Sequence, residues 1–387
     1  MHITVFGTYD TAMHPRIATI AEGLAARGFD VSECNVPLGL DTAARVDMLA
    51  RPWRAAALPL RLASRWAALA RMARRMPRPD AVVVGYLGHF DVHLARLLFP
   101  RRRVPVVLDH LVGASDTGRD RRLDGGPRQL LLRMIDAAAL RAADIIVVDT
   151  EEHLAALPER HRPRAVALAV GAPATWHEAG DTGRQAGTDD VERAPLRVVF
   201  YGLYTPLQGA PVIGAALGRI AGAPIEVTMV GGGQDEAETR SAAAANDSVR
   251  WLDWVPAAEL PALVAGHDVC LGIFGTSEKA QRVVPNKVFQ GAAAGCAIVT
   301  SDTAPQRRAL GDAAILVPPG DTDALAAALL RLAADRAACD EMRHRARAIA
   351  KQRFAAAQVV EPLIERLAGS RGQGTGAPAA EDTHVGA

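Results

Sequence analysis

The sequence predicts an α/β protein of two doubly wound, Rossmann-like domains facing each other across a cleft. Three observations lead there. The chain has 387 residues, too many for one hydrophobic core at about 100 to 200 residues per domain. Short apolar, β-rich runs alternate with longer helical stretches from His2 to Leu168, the pattern of βαβ units on a parallel sheet. A second alternating set begins at Leu196, after a polar, glycine-containing passage from Glu178 to Arg193. The expected division is a first domain over 1–177, a linker over 178–195, a second domain over 196–368 and a disordered tail over 369–387.

In the first set the strand candidates are Ile3–Phe6, Val31–Cys34, Ala81–Val84, Val104–Leu108, Ile145–Val148 and Ala165–Leu168. Helices are expected between them, including Pro15–Ala26, Pro127–Ala142 and Glu151–Leu157. The second set supplies Arg197–Tyr201, Ile225–Val230, Val249–Leu252, Val269–Leu271, Ala297–Thr300 and Ala314–Val317. Each run is short and apolar on both faces, as a sheet covered by helices on both sides requires. Two final helices are expected, Asp321–Leu332 and Asp335–Leu367. The closing SRGQGTGAPAAEDTHVGA has one valine as its sole large apolar residue and reads as disordered.

Composition narrows the function classes. Hydrophobic residues make up 49% and charged residues 22%, ordinary values for a globular protein, and the net charge of +1 gives no overall bias toward nucleic acid. Cys34, Cys270, Cys296 and Cys339 lie far apart with no CxxC spacing, so they read as buried thiols in a reducing compartment, with no metal site expected. The N-terminus lacks the basic flank and apolar run of a secretory signal. No stretch approaches the roughly 18 uninterrupted apolar residues of a membrane span. The expected location is the cytoplasm. One local feature adds an option: between Arg51 and Arg78 there are eight arginines and no acidic residue, with Leu58, Leu62, Trp66, Leu69, Met72 and Met76 on one helical face. Such a helix either packs its apolar stripe on the sheet or lies peripherally on the inner, anionic face of a membrane.

The chemistry converges on FGTSEKAQRVVPNKVFQGAAAGCAIVTSD, from Phe274 to Asp302. This reads as loop, short helix, glycine stop and buried strand. Pro285 suits a helix start, Gly295 a left-handed stop, and Arg282 and Lys287 are delivered to the loop and the first turn. Free N–H groups at a helix start plus two cations form a site for an anion such as a diphosphate; a surface loop before a core helix is the alternative. No GxGxxG fingerprint follows a strand, which argues against a nicotinamide dehydrogenase. Other glycines stand at strand ends: Gly202 after Tyr201, Gly209 opening the next helix, and Gly231 to Gly233 after Val230. Taken singly these are plain turns; three in one domain suit close approach of backbone to phosphate, base or ribose. Of Trp251 and Trp254, strand alternation turns one toward the core and leaves Trp254 to stack on a nucleobase.

These residues carry a resemblance. YGLYTPLQGAPVI, VTMVGGG, VRWLDWVPAAELPALVAGHDVCLGIFG, PNKVFQGAAAGCAIVTSD and VPPGDTDALAAAL, with FGTYDTAMHPR, GYLGHFD and ADIIVVDTEEH in the first half, resemble in order and spacing the family 4 glycosyltransferases of GT-B fold. The resemblance extends over nearly the whole chain to about Leu367. It implies retaining transfer of a hexose-type sugar from a nucleoside-diphosphate donor, with no cofactor or bound metal, to a glycan, lipid-linked or small-molecule acceptor, as in polysaccharide or glycoconjugate synthesis. It further implies that Arg282 and Lys287 stabilise the departing diphosphate and that His89 contacts the transferred sugar. The donor would be held by Gly202, Gln208, Gly209, Gly231, Gly233, Trp254, Pro285, Asn286 and Gln290. The acceptor side would hold Gly7, Arg16, Asp109, Ser115 and Asp116, with Asp120 and Arg121 beside them; for that cluster a salt-bridged structural loop is the alternative.

The chain departs from the family at four positions. Leu203 and Gln208 stand where members carry an arginine and a lysine, and Arg282 and Gln290 where they carry two glutamates eight positions apart. Gln290 can still hydrogen-bond ribose as a neutral substitute, and Arg282 and Lys287 can replace the absent phosphate cations. A nucleotide-sugar-binding protein without catalysis, or a sugar-nucleotide epimerase on the same two-domain plan, are the alternatives these departures leave open.

Overall fold

Among the described residues, twelve short strands form two separate six-stranded sheets, parallel throughout. The structure is a computed structural model that describes residues 1–10, 15–39, 58–85, 88–100, 104–111, 113, 126–183 and 194–372. The first sheet comprises β1 (His2–Gly7), β2 (Asp30–Asn35), β3 (Ala81–Val84), β4 (Val106–Asp109), β5 (Ile145–Val148) and β6 (Ala165–Ala167), in the order β2-β1-β3-β4-β5-β6. The second comprises β7 (Leu196–Tyr201), β8 (Ile225–Val230), β9 (Val249–Leu252), β10 (Val269–Leu271), β11 (Ala297–Ser301) and β12 (Ala314–Val317), in the order β12-β11-β10-β7-β8-β9. The central strands are β-branched runs with every residue buried, AVVV in β3 and IIVV in β5. Branched side chains pack well on a pleated surface, and a strand buried on both faces has no polar face to offer.

Each sheet is covered on both sides. In the first domain Phe6, Leu69, Val82, Val84 and Leu108 pack on one face, and Ile3, Val5, Ile17, Ile20 and Leu24 on the other. In the second, Val198, Phe200, Ile213 and Leu217 oppose Val199, Tyr201, Phe289 and Ile298. Strand order reverses between β1 and β3 and again between β7 and β10. At such a switch point the following connections leave on opposite faces, which opens a crevice at the carboxyl ends of the strands.

The chain passes between domains at places other than those expected. The helix Ala174–Thr182 belongs with the second domain: Trp176 stacks on Tyr201 of β7 with ring centroids 5.8 Å apart, in the same apolar cluster as Val264 and Phe289. Residues 178–182, expected as linker, are therefore the end of a packed helix; 184–193 lie outside the described residues. The long closing helix expected over Asp335–Leu367 is broken into Arg336–Ile349, a π turn Ala350–Phe354, Ala356–Val359 and Glu361–Gly372. Tertiary packing causes the break. Phe354 is anchored edge-on against Phe289 at 4.8 Å in the second domain, whereas Val360, Leu363 and Leu367 are buried in the first-domain core. Ala355, extended at φ −67° and ψ 146°, is the pivot, and the Ala172 amide donates to the Phe354 carbonyl at 2.9 Å. Gly23 permits the return, since a Cβ there would lie 2.1 Å from the Ala356 carbonyl oxygen. The second domain thus ends near Phe354, and helix continues to Gly372, past the expected start of the tail at 369.

Polar contacts also join the domains, among them the Ala174 amide, which donates to Glu22 Oε1 at 3.1 Å. Thr150 Oγ1 donates to the Arg282 carbonyl at 2.8 Å, and Arg308 forms a forked pair with Glu152 at 2.7 and 3.0 Å. The basic helix, Leu58–Ala73, packs part of its stripe on the first domain: Leu69 is fully buried, Trp66, Ala73 and Met76 lie against the same cluster, Trp66 Nε1 donates to Asp91 at 2.9 Å, and Met72 is exposed. Among the described residues, no helix is long and apolar enough to cross a membrane. All four cysteines are free and buried.

Leu363 ties the last helix to the first domain. Leu363→Ala is expected to cost about 2 to 5 kcal/mol in the denaturant-induced transition of the first domain, with the transition of the second unchanged.

Candidate active site

The second-domain half of the cleft is built at the switch point between β7 and β10. The loop after β7 (202–209) and the loop after β10 (272–279) are joined by the Phe274 amide, which donates to the Gln208 carbonyl at 2.9 Å. Gly209, with φ +66°, caps the helix Ala210–Arg219; a Cβ there would sit 2.5 Å from backbone atoms of Phe274 and Gly275. This glycine is required by the meeting of the two loops, whether or not a phosphate approaches. Gly231 lies against the Gly202 carbonyl and Gly233 against the backbone of Tyr204, so these turns also close on each other.

Lys287 occupies the first turn of the helix Asn286–Ala293, with Pro285 as its N-cap. Only 4% of it is exposed. Its Nζ donates to Gln208 Oε1 at 2.5 Å and stands 3.7 Å from the centre of the Phe200 ring. Burial depresses the ammonium pKa to about 7. Gln208 is therefore the partner of the one buried lysine. Gln290, one turn further along, is 7% exposed and accepts a hydrogen bond from the Tyr201 hydroxyl at 3.0 Å, which orients its amide. Asn286 is exposed beside Lys287, and Trp254 is 63% exposed beyond β9, while Trp251 packs toward the core under the Arg240 guanidinium at 4.5 Å.

Arg282 is placed apart from this group. It ends the 3₁₀ turn Ala280–Arg282, pairs with Glu278, and lines an interdomain cavity of about 480 Å³. Opposite it in that cavity stand His110, Arg133, Asp136 and His153 of the first domain. The two cations expected to share one diphosphate thus enter the cleft from different supports, Lys287 from the helix start and Arg282 from the loop that touches Thr150.

In the first domain Arg16 and Asp109, expected to line the acceptor side with a salt-bridged structural role as the alternative for Asp109, form an internal strut. Both are 2% exposed, and Arg16 Nε donates to both Asp109 carboxylate oxygens at 2.9 and 3.1 Å. The remaining guanidinium nitrogens donate to the Val148, Leu168 and Ala169 carbonyls at 3.2 to 3.4 Å. Burial pushes the Asp109 carboxyl upward, and the Arg16 guanidinium opposes that rise. Gly7 ends β1 where the Thr8 amide and hydroxyl both donate to Asp91, at 2.7 and 2.8 Å. Ser115, Asp116, Asp120 and Arg121 lie outside the described residues.

His89 sits in the turn before the helix Asp91–Leu98 and is 6% exposed. Its Nε2 is 3.1 Å from Asp136 Oδ1, and its ring meets that of His110 at 5.3 Å, edge to face. Sequence reading missed both neighbours. His110 directly follows the carboxyl end of β4, where such sheets bind ligands. Asp136 shares the buried stripe of the helix Gly126–Ala142 with Leu140. A carboxylate in an apolar stripe was a legible signal of a buried polar partner.

Residues 195–335 match the family described as Glycosyl transferases group 1. The whole chain is similar in structure to a sucrose-phosphate synthase of Thermosynechococcus elongatus, with 16% identity, 95% of this chain and 99% of that chain covered, and a TM-score of 0.67. Anabaena HepE in complex with UDP and glucose is similar at 14% identity, 95% and 100% coverage and a TM-score of 0.66. An α,α-trehalose-phosphate synthase (UDP-forming) of Burkholderia vietnamiensis follows at 14% identity, 97% and 98% coverage and a TM-score of 0.63. The sequence has no significant match among curated proteins. The fold is therefore GT-B, and a glycosyltransferase domain carried on it makes the chain a glycosyltransferase.

Two outcomes follow from the buried charges. A lysine lowered from 10.5 to about 7 is held at a cost of roughly 5 kcal/mol when charged. Between those two values the unfolded chain binds more protons than the folded one, so stability from this group rises with pH. Lys287→Met is expected to stabilise most below pH 7, with its advantage shrinking by roughly 1.4 kcal/mol per pH unit above that in urea titrations. Arg16→Ala, which leaves Asp109 buried and alone, is expected to cost about 3 to 5 kcal/mol, and the double replacement Arg16→Met with Asp109→Leu to recover most of it.

Proposed function

We propose that the chain transfers a hexose-type sugar from a nucleoside-diphosphate donor, with retention of configuration, to a glycan, lipid-linked or small-molecule acceptor in cell-surface polysaccharide or glycoconjugate synthesis. The observation that carries this reading is the buried Lys287 at a helix start on the β7–β10 switch point, inside the glycosyltransferase domain. Its ammonium is poorly solvated, so an incoming diphosphate supplies the counter-charge that burial denies. As the bond to the sugar breaks, negative charge grows on that leaving group. A positioned cation and helix-start amides stabilise it more than they stabilise the ground state. A phosphate oxygen then takes the acceptor's proton on the face it has just left, and no side-chain base is needed. Arg282 supplies a second cation from the cleft loop, Gln290 holds ribose, and Trp254 covers the base. His89 borders the sugar from the first domain. The structures of Anabaena HepE hold UDP and UDP-glucose, which makes uridine donors the first to try.

The exposed Arg61, Arg65, Arg71, Arg74 and Arg75 give the basic helix a cationic outer face. That face suits peripheral contact with the inner surface of the membrane and a lipid-linked acceptor, in a protein of the cytoplasm.

Diphosphate release measured over a panel of nucleotide sugars, with and without membrane extract, tests the assignment. One donor is expected to be turned over, and Lys287→Ala and Arg282→Ala to lower kcat on the order of 10²- to 10³-fold with folding intact. Wild-type turnover in both variants overturns the roles. Binding of a nucleoside diphosphate with no transfer to any acceptor would instead make the chain a nucleotide-sugar-binding protein, and change of the donor sugar without acceptor an epimerase. Because free Lys287 is half-deprotonated near pH 7, nucleoside-diphosphate binding is expected to take up protons there and to weaken as pH rises further. Calorimetry in two buffers of different ionisation enthalpy measures that uptake.

A further inference from the structure

We propose that His89, His110 and Asp136 form a binding site for one divalent transition-metal ion of the zinc type, at the first-domain wall of the interdomain cavity. Each residue offers one ligand atom, and the three atoms lie within 4.8 Å of one another. His89 Nε2 and Asp136 Oδ1 are already 3.1 Å apart, close to the roughly 3.3 Å that separates two ligands at tetrahedral zinc distances. His89 and His110 are at most 9% exposed, and the Asp136 side chain is 11% exposed. Two imidazoles and a carboxylate make a donor set that suits zinc and its first-row neighbours over calcium or magnesium.

The scaffold holds these donors from three directions. His89 comes from the turn after β3, His110 from the end of β4, and Asp136 from the buried stripe of the helix Gly126–Ala142. The His110 amide donates to the Val147 carbonyl at 2.8 Å, which extends the β4–β5 pairing up to the ligand itself. The Arg16–Asp109 strut secures the preceding residue. Ligands on rigid elements lose little freedom on binding an ion. His110 and Asp136 also line the cavity, so an ion between them borders open space and has room for a fourth ligand such as water. The inference goes beyond the sugar transfer proposed above; the two share His89, and metal binding is read directly without any donor present, so failure of one reading is distinguishable from failure of the other.

The experiment uses the full chain, stripped with chelator and titrated with zinc by calorimetry and with cobalt(II) by visible absorption. The expected result is one saturable equivalent, a d–d spectrum without thiolate charge transfer, and a zinc-dependent rise in melting temperature. His110→Gln and Asp136→Asn are expected to weaken zinc binding by more than the roughly 10- to 100-fold that loss of an outer-shell partner costs. His344→Ala, at an exposed histidine of the second domain, is expected to leave it unchanged. Absence of saturable one-equivalent binding to the wild-type chain overturns the proposal, as does unchanged affinity in both ligand variants. A thiolate band in the cobalt spectrum would place the ion at one of the four cysteines and overturn it equally. The cobalt spectrum is read on the wild-type chain, so the test survives a variant that fails to fold.

Discussion

Burial of both faces of two parallel sheets is the constraint from which the rest of this molecule follows. A parallel strand needs a covering crossover on one face or the other, so strands such as AVVV and IIVV carry no polar side chain at all. Polar chemistry is thereby expelled to the carboxyl ends, where the chain leaves each strand. Every candidate group of the second domain obeys that rule: Gly202 and Gln208 follow β7, Gly231 and Gly233 follow β8, and Arg282 and Lys287 follow β10. The reversal of strand order between β7 and β10 then holds the first and last of these loops side by side.

Polar groups inside that framework divide by whether their charge is answered. The Arg16–Asp109 pair is answered completely, by each other and by three backbone carbonyls, and serves as a brace between the first helix and the ends of β4, β5 and β6. Among the described residues, Lys287 is met by the neutral Gln208 amide and the rings of Phe200 and Tyr201, and burial holds its ammonium at a pKa of about 7. A cation kept short of counter-charge is a cost to folding and an attraction for an anion. A neutral Gln208 suits that arrangement, since a second ammonium 2.5 Å away would repel the first.

The strands were legible almost residue by residue. Ala81–Val84, Ile145–Val148, Ile225–Val230, Val249–Leu252, Val269–Leu271 and Ala314–Val317 read directly as strands and stand at those bounds in the structure, because a parallel strand covered by helices announces itself as a short, mostly apolar run between polar turns. The last helices were less legible. KQRFAAAQVV contains neither glycine nor proline, and its alanines favour helix, yet the chain breaks at Ala355 because Phe354 and Val360 are claimed by different cores. Pro362, in the first turn of the restarted helix, was the one local mark of the restart. Arg16 and Asp109 show the same limit from the polar side: for Asp109 the sequence left a binding surface and a salt-bridged structural role both open, and the packing of strands around the pair makes it a brace.

By itself the sequence determined the class of fold, the alternation that builds both sheets and the loops on which candidate chemistry would lie. These follow from local properties, namely apolar periodicity, turn residues and the approach that glycine allows. The tertiary structure alone decided which side chains meet. It buried Lys287 on Gln208 and set Arg282 on the wall of the interdomain cavity. It also returned the closing helix to the first domain and brought His89, His110 and Asp136, from three separate elements, within reach of one ion. Such meetings depend on strand order and on which core claims each helix, and neither is written in any short stretch of chain.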